Sequence, residues 1–196
     1  MKKIIVIISI IIVALGGAIL LFIYGNKAPE QQSAQNDIII NDFTHVPSGG
    51  QLLGNMQKAG LEALSSEGTA MHIHQHLDIV VNGKPIPIPA SIGIGTGFIS
   101  AVHTHDSSGI LHIESPVKKD FTLGQFFKEW NVDFDDSHIG IFASGQNNKL
   151  IVAVNGVPIT NVQKYVVQPH DEIEIWYGNK NESPSLIKDY KFPSGL

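Results

Sequence analysis

The sequence predicts an α+β chain: a mixed β-sheet crossed by one helix, with an N-terminal β-hairpin, behind a single transmembrane helix. Three observations predict it. An uncharged, Ile-rich run from Ile4 to Tyr24 follows Lys2 and Lys3. After residue 70, stretches with a period of two recur between turn sequences such as Asn82-Gly83 and Asn155-Gly156, the pattern of strands. Among them, one amphipathic stretch places Leu123, Phe126, Phe127 and Trp130 at i, i+3, i+4 and i+7, the spacing of a helix face.

Composition narrows the function classes. The 196 residues are 43% hydrophobic, enough for one domain with a core once the terminal segment is set aside. A net charge of -5, with no Lys/Arg cluster beyond the N-terminus, argues against a nucleic-acid partner. The absence of cysteine excludes disulfides, zinc–thiolate sites, thiol catalysis and blue-copper ligation together. Any metal must be held by nitrogen and oxygen.

Residues 1–24 read as a transmembrane anchor. The apolar run matches the about 20 residues of a spanning helix better than the about 7–15 of a cleavable signal core. No A-x-A-like cleavage site follows it. The two lysines place the N-terminus inside by the positive-inside rule, so the protein is expected at the cell membrane as a single-pass chain with its domain extracytoplasmic. Residues 25–47 are a polar linker, with a short apolar run at Ile38-Ile39-Ile40. Residues 48–67 form an amphipathic helix packed on the domain, with Ser48 and Gln51 at capping-box spacing and Gly68 as its end.

Residues 68–180 make up a histidine-rich domain, followed by a tail over 181–196. From Met71 to Val81, His72, His74, His76 and Asp78 occupy alternate positions and therefore share one face of a strand. Asn82-Gly83 turns this strand back, pairing Val81 with Lys84, Ile79 with Ile86 and Leu77 with Ile88. Pro85, Pro87 and Pro89 mark the return strand as a protected edge.

A glycine-spaced loop, Gly93 to Gly97, lacks the context of a phosphate cradle. The strand Phe98–His105 follows, and Asp106-Ser107-Ser108-Gly109 is a turn. Placing Asp106 opposite Gly109 sets His103 against His112, Ala101 against Glu114 and His105 against Ile110. His103, His105, His112 and Glu114 then converge on one face. Thr122, with Gln125 three residues on, caps the helix whose aromatic stripe is a core face. Strands are expected at Ile139–Ala143, Leu150–Val154, Tyr165–Val167 and Glu172–Tyr177. His45, His138 and His170 fall in loops or at strand starts and read as solvated or structural.

From Phe98 onward the order is hairpin, helix, hairpin, crossover and final strand, which resembles the β-grasp (ubiquitin-like) arrangement. The ending Pro193-Ser-Gly-Leu196 lacks the terminal Gly-Gly of sulfur-carrier members, which argues against conjugation chemistry. The blocks His72-I-H-Q-H-L-D78 and His103-T-H-D-S-S-G-I-L-H-I-E114, with Asp120-F-T-L-G-Q-F-F127, also resemble a recurring group of exported or membrane-anchored prokaryotic proteins. That resemblance implies the domain outline and supplies no mechanism.

Six of the nine histidines thus lie on two polar strand faces. Histidine is an unusual choice for a merely solvated strand face, and imidazole is the commonest protein metal ligand. The candidate ligands are His74, His76, His103, His105 and His112, with His72 as a further candidate; Asp78, Asp106 and Glu114 are expected to orient imidazole N–H groups. An all-nitrogen/oxygen donor set favours copper or zinc as the divalent ion. A metal-binding domain for capture, sensing or delivery is placed first. The alternatives are a three-His enzyme site activating water, with Glu114 or Asp106 as base, and a pH-responsive interaction module without metal.

Overall fold

The computed structural model describes residues 43–196. The anchor expected over residues 1–24 and most of the expected linker lie outside them. Among the described residues no helix is long and apolar enough to cross a membrane.

Helix α1 spans Gly49–Ala59 and stops where Gly60 takes the left-handed conformation, φ 70°, and donates its N–H to the carbonyls of Gln57 and Met56. The helix expected over 48–67 is therefore shorter, and Ala63–Leu64 instead forms strand β1. The Ser48 capping box does not form. The Ser48 backbone carbonyl accepts from Gln51 and Leu52, while the Gln51 side chain lies 3.1 Å from His45 Nε2.

Strand β2 is Met71–Val81 and β3 is Lys84–Ile86, joined by Asn82 and Gly83 with φ of 50° and 75°. Both positive angles are what a two-residue I′ turn requires. Val81 pairs with Lys84 and Ile79 with Ile86, but the hairpin ends there. Leu77 donates to the Gly109 carbonyl rather than pairing with Ile88.

Strands β4 (Ile94–Gly95), β5 (Phe98–Ser100) and β6 (Val102–His103) follow. The continuous strand expected over Phe98–His105 is broken at Ala101. Ser100 pairs with β1 in a small sheet, whereas Val102 joins the main one. The Ser100 hydroxyl accepts from the Val102 N–H at 3.3 Å, replacing a ladder partner at the break.

Next come β7 (Ile110–Ser115) and helix α2 (Leu123–Trp130), whose Thr122–Gln125 capping box is fully formed. The strand expected over Ile139–Ala143 folds at Gly140, φ 55°, into β8 (His138–Ile139) and β9 (Phe142–Ala143). Strands β10 (Asn148–Val154) and β11 (Val157–Pro158), a 3₁₀ turn at Val162–Lys164 and β12 (Glu172–Asn179) complete the chain. The strand expected at Tyr165–Val167 reduces to one bridge between Val166 and Thr122.

The main sheet runs β11-β10-β12-β2-β7-β6, with β3 also paired to β2. β2 and β12 are parallel, and every other neighbour in this sheet is antiparallel. The central first strand is therefore β2, not the Phe98 strand. It is long enough to pair β7 along Met71–His76 and β3 along Ile79–Val81, while β12 runs along its other edge.

The two faces of the sheet differ sharply. Leu77, Ile79, Leu111, Ile113, Ile173 and Ile175 share one buried cluster with Leu123, Phe126, Phe127 and Trp130 of α2 and with Leu52 and Met56 of α1. Burying each such side chain contributes roughly 1.5–3 kcal/mol. That apolar layer fixes the strand phase, so the alternate positions, the histidines among them, must occupy the opposite face.

Candidate metal centre

β7 carries the centre of the site. On one side His112 is in register with His74 of β2, and on the other with His103 of β6. His72 is in register with Glu114. The turn arithmetic therefore holds for His103 and His112, and Glu114 donates its backbone N–H to Ala101. His105 lies past the end of β6, so it has no strand partner in Ile110. Its ring nevertheless returns to the cluster, 4.4 Å from the His112 ring. The His112 ring also meets that of His74 at 4.6 Å and that of His103 at 5.5 Å.

Two ligand groups result. His72, His74, His112 and Glu114 each offer a donor atom within 4.8 Å of the others, and so do His103, His105, His112 and Glu114. His72 Nε2 lies 3.0 Å from His74 Nε2, and His103 Nε2 lies 3.1 Å from His105 Nε2. Two nitrogens bound at about 2.05 Å to one ion are about 2.9 Å apart at a right angle and about 3.3 Å apart at the tetrahedral angle. Both observed pairs fall between these limits.

A hydrogen bond fixes the tautomer of His103, and a carboxyl faces His112. His103 Nδ1 is 2.9 Å from the Ser100 carbonyl, which can only accept, so Nδ1 carries the hydrogen and Nε2 presents its lone pair. His112 Nδ1 is 3.2 Å from Glu114 Oε1, the carboxylate–imidazole arrangement that leaves Nε2 for a metal. The same oxygen is 3.2 Å from His72 Nε2. Glu114 therefore stands beside both imidazoles, and its carboxyl is also one of the groups that could hold an ion. Asp106 does not do the orienting expected of it: its Oδ1 accepts the Ser108 N–H at 2.8 Å, and these turn contacts hold its carboxyl below the usual range. It caps its own turn.

Burial sets the electrostatics. His103 is fully buried, and that desolvation lowers its pKa to about 4, with the His105 ring adding to the fall. Burial, then His105, His74 and His103, takes His112 down to about 3. His74 is lowered too, by burial and then by His72. The three imidazoles are therefore neutral, the protonation state that binds metal. Burial, then the neighbouring Glu67, raises the Glu114 carboxyl.

His76 does not join the cluster. Its Nδ1 lies 2.8 Å from Glu172 Oε2 and 3.5 Å from Asp78 Oδ2. Glu67 and Glu172 are the residues that sequence reasoning missed. Glu67 Oε1 reaches within 3.4 Å of His105 Nε2. Gly68 allows this: a Cβ there would sit 2.0 Å from the Ser115 carbonyl carbon, so only glycine lets the chain pass β7 so closely. His45, His138 and His170 belong to no such ligand group among the described residues. His45 bonds Gln51, His138 bonds Asp135 and Ser137, and His170 stacks on Phe192.

Compared with protein-family models, curated proteins and solved structures, the chain matches none. The chemistry rests on the site itself: grouped imidazoles and carboxylates able to hold a metal ion.

Proposed function

We propose that this protein is a membrane-anchored, extracytoplasmic metal-binding module, and that it captures, senses or delivers copper or zinc through the histidine cluster on β2, β6 and β7. The observation that carries this is the spacing of the two Nε2 pairs, 3.0 and 3.1 Å, beside the shared His112 and Glu114. Without cysteine the donors are nitrogen and oxygen, and the affinity order of such sites peaks at copper with zinc beside it.

The cluster also has a direction. His72 and His105 are exposed at 54% and 42%, while His74 and His103 are buried. An ion meets the outer imidazoles first and loses its water as the inner ones take hold, as capture and release require. The anchor reading rests on the Lys2–Tyr24 sequence. The strand order β7-β2-β12-β10, with β2 parallel to β12 and α2 between, is the arrangement we assign to a β-grasp-like fold.

Titration of copper(II) and zinc(II) into the untagged full-length protein tests the proposal. Tight binding that weakens sharply in His103→Ala and is unchanged in His45→Ala and His170→Ala is expected. Micromolar or weaker binding of both ions, alike in all variants, would leave only a histidine-rich surface.

A further inference from the structure

At the other end of the same polar face, one imidazole stands among three carboxylates. The parallel register of β2 and β12 sets His76 beside Glu172 and Asp78 beside Glu174. His76 Nδ1 is 2.8 Å from Glu172 Oε2 and 3.5 Å from Asp78 Oδ2. His76, Asp78 and Glu172 each offer a donor atom within 4.8 Å of the others.

The imidazole is held as metal-bound imidazoles usually are. Its Nε2 lies 3.0 Å from the Ser108 carbonyl, which only accepts, so Nε2 carries the hydrogen and Nδ1 faces the carboxylates. Tyr190 stacks flat on the ring, centroids 3.6 Å apart and planes 4° from parallel, and closes its outer side. Gly109 makes room for this: its Cβ would fall 3.0 Å from His76 Nε2 and 2.6 Å from the Leu77 carbonyl oxygen.

An ion pair between His76 and Glu172 leaves this pocket unsatisfied. The Glu172 side chain is fully buried, and its Oε1 has no hydrogen-bond partner among the described residues. Glu174 is buried as well, with Oε2 accepting from the Ile187 N–H at 2.7 Å. Among the described residues no lysine bridges Asp78, Glu172 or Glu174. One imidazole stands among three carboxyl groups, two of them buried, and a buried polar group left without a partner is costly. A divalent cation gives Oε1 a partner and balances the charge.

We propose that His76, Asp78 and Glu172 form a second metal site, separate from the histidine cluster, for a divalent ion that prefers oxygen donors, with Mn(II) as the type. It shares no ligand with the cluster. One nitrogen and two carboxylates suit Mn(II), an ion that favours carboxylate oxygen.

The test is Mn(II) added to the metal-free full-length protein, with bound ion read from the loss of the free Mn(II) electron paramagnetic resonance signal. One bound equivalent is expected, weakened by roughly 10- to 100-fold or more in Asp78→Asn and in Glu172→Gln and unchanged in His103→Ala. Asp78 is partly exposed, so Asp78→Asn keeps the test decisive if Glu172→Gln fails to fold, and circular dichroism checks both. No Mn(II) uptake by the wild type, or uptake that His103→Ala abolishes while Asp78→Asn does not, overturns the second site. Neither result touches the copper and zinc titration of the cluster, which stands or falls on His103→Ala with those ions.

Discussion

His74 and His112 face each other across the β2–β7 ladder, their rings edge to face with centroids 4.6 Å apart. Directly opposed side chains on one sheet face meet in this way, and here the meeting joins two ligand groups into one cluster. His112 belongs to both groups, whereas His72, His74, His103 and His105 each belong to one. Of the single substitutions, His112→Ala should therefore reduce copper and zinc affinity the most. Glu114→Gln, which loosens His112 without removing a nitrogen, should cost roughly 10- to 100-fold. Calorimetric titration of both variants checks the order; equal losses would make Glu114 a direct ligand.

Gly109 links the hairpin to the strand beside it. Its φ is 86°, and a Cβ would meet the Leu77 carbonyl oxygen at 2.6 Å. Gly109→Ala therefore combines left-handed strain of about 1–2 kcal/mol with a backbone clash. A drop in the denaturation midpoint together with weakened metal binding is expected. Unchanged binding in a destabilised variant would mean that the turn does not position His103 and His112.

How much of this was readable follows from the range of each constraint. The His103–His112 pair is legible because a four-residue turn fixes its register by counting. The shared face of His72, His74 and His76 is legible because a strand alternates with period two. Which strands flank that face is not legible. β2 and β12 are parallel and far apart in sequence, so no turn records their register, and the Glu172 partner of His76 stays hidden. Strand phase alone therefore groups His76 with the wrong neighbours. His105 joins the cluster from outside the ladder, where period-two counting no longer applies. Asp106 looks like an imidazole partner by proximity in sequence, but Asx-turn chemistry takes its carboxylate first.

Gln75 interrupts the apolar face of β2. It is fully buried, and both of its side-chain polar atoms lack partners among the described residues. A buried unsatisfied amide costs about 1–3 kcal/mol, and methionine fills a similar volume without polar hydrogens. Gln75→Met should raise the denaturation midpoint with metal binding unchanged. A lower midpoint would show that ordered water completes the amide's hydrogen bonds.

The last prediction concerns pH. His103 and His112 have folded-state pKa values lowered to about 4 and about 3, chiefly by burial, against 6.5 for an ordinary histidine. Between pH 6.5 and these values the unfolded chain binds protons that the folded chain refuses. Their contribution to stability is therefore complete above pH 6.5 and is lost as pH falls toward 4, with a slope approaching about 1.4 kcal/mol per pH unit for each imidazole. The buried Glu129 acts the other way. Burial raises its carboxyl well above the usual range, so the folded state holds a proton that the unfolded chain has lost, and stability grows as pH falls. A scan of the wild type alone mixes the two effects. The difference between the wild type and His103→Asn/His112→Asn isolates the imidazoles, since Glu129 is common to both proteins. Urea unfolding of the metal-free proteins from pH 7 to pH 5 should show the wild type losing stability relative to the double variant at each step down. A difference that stays constant across that range would mean that both imidazoles titrate normally in the fold, and that the cluster is open to water rather than held dry for a metal.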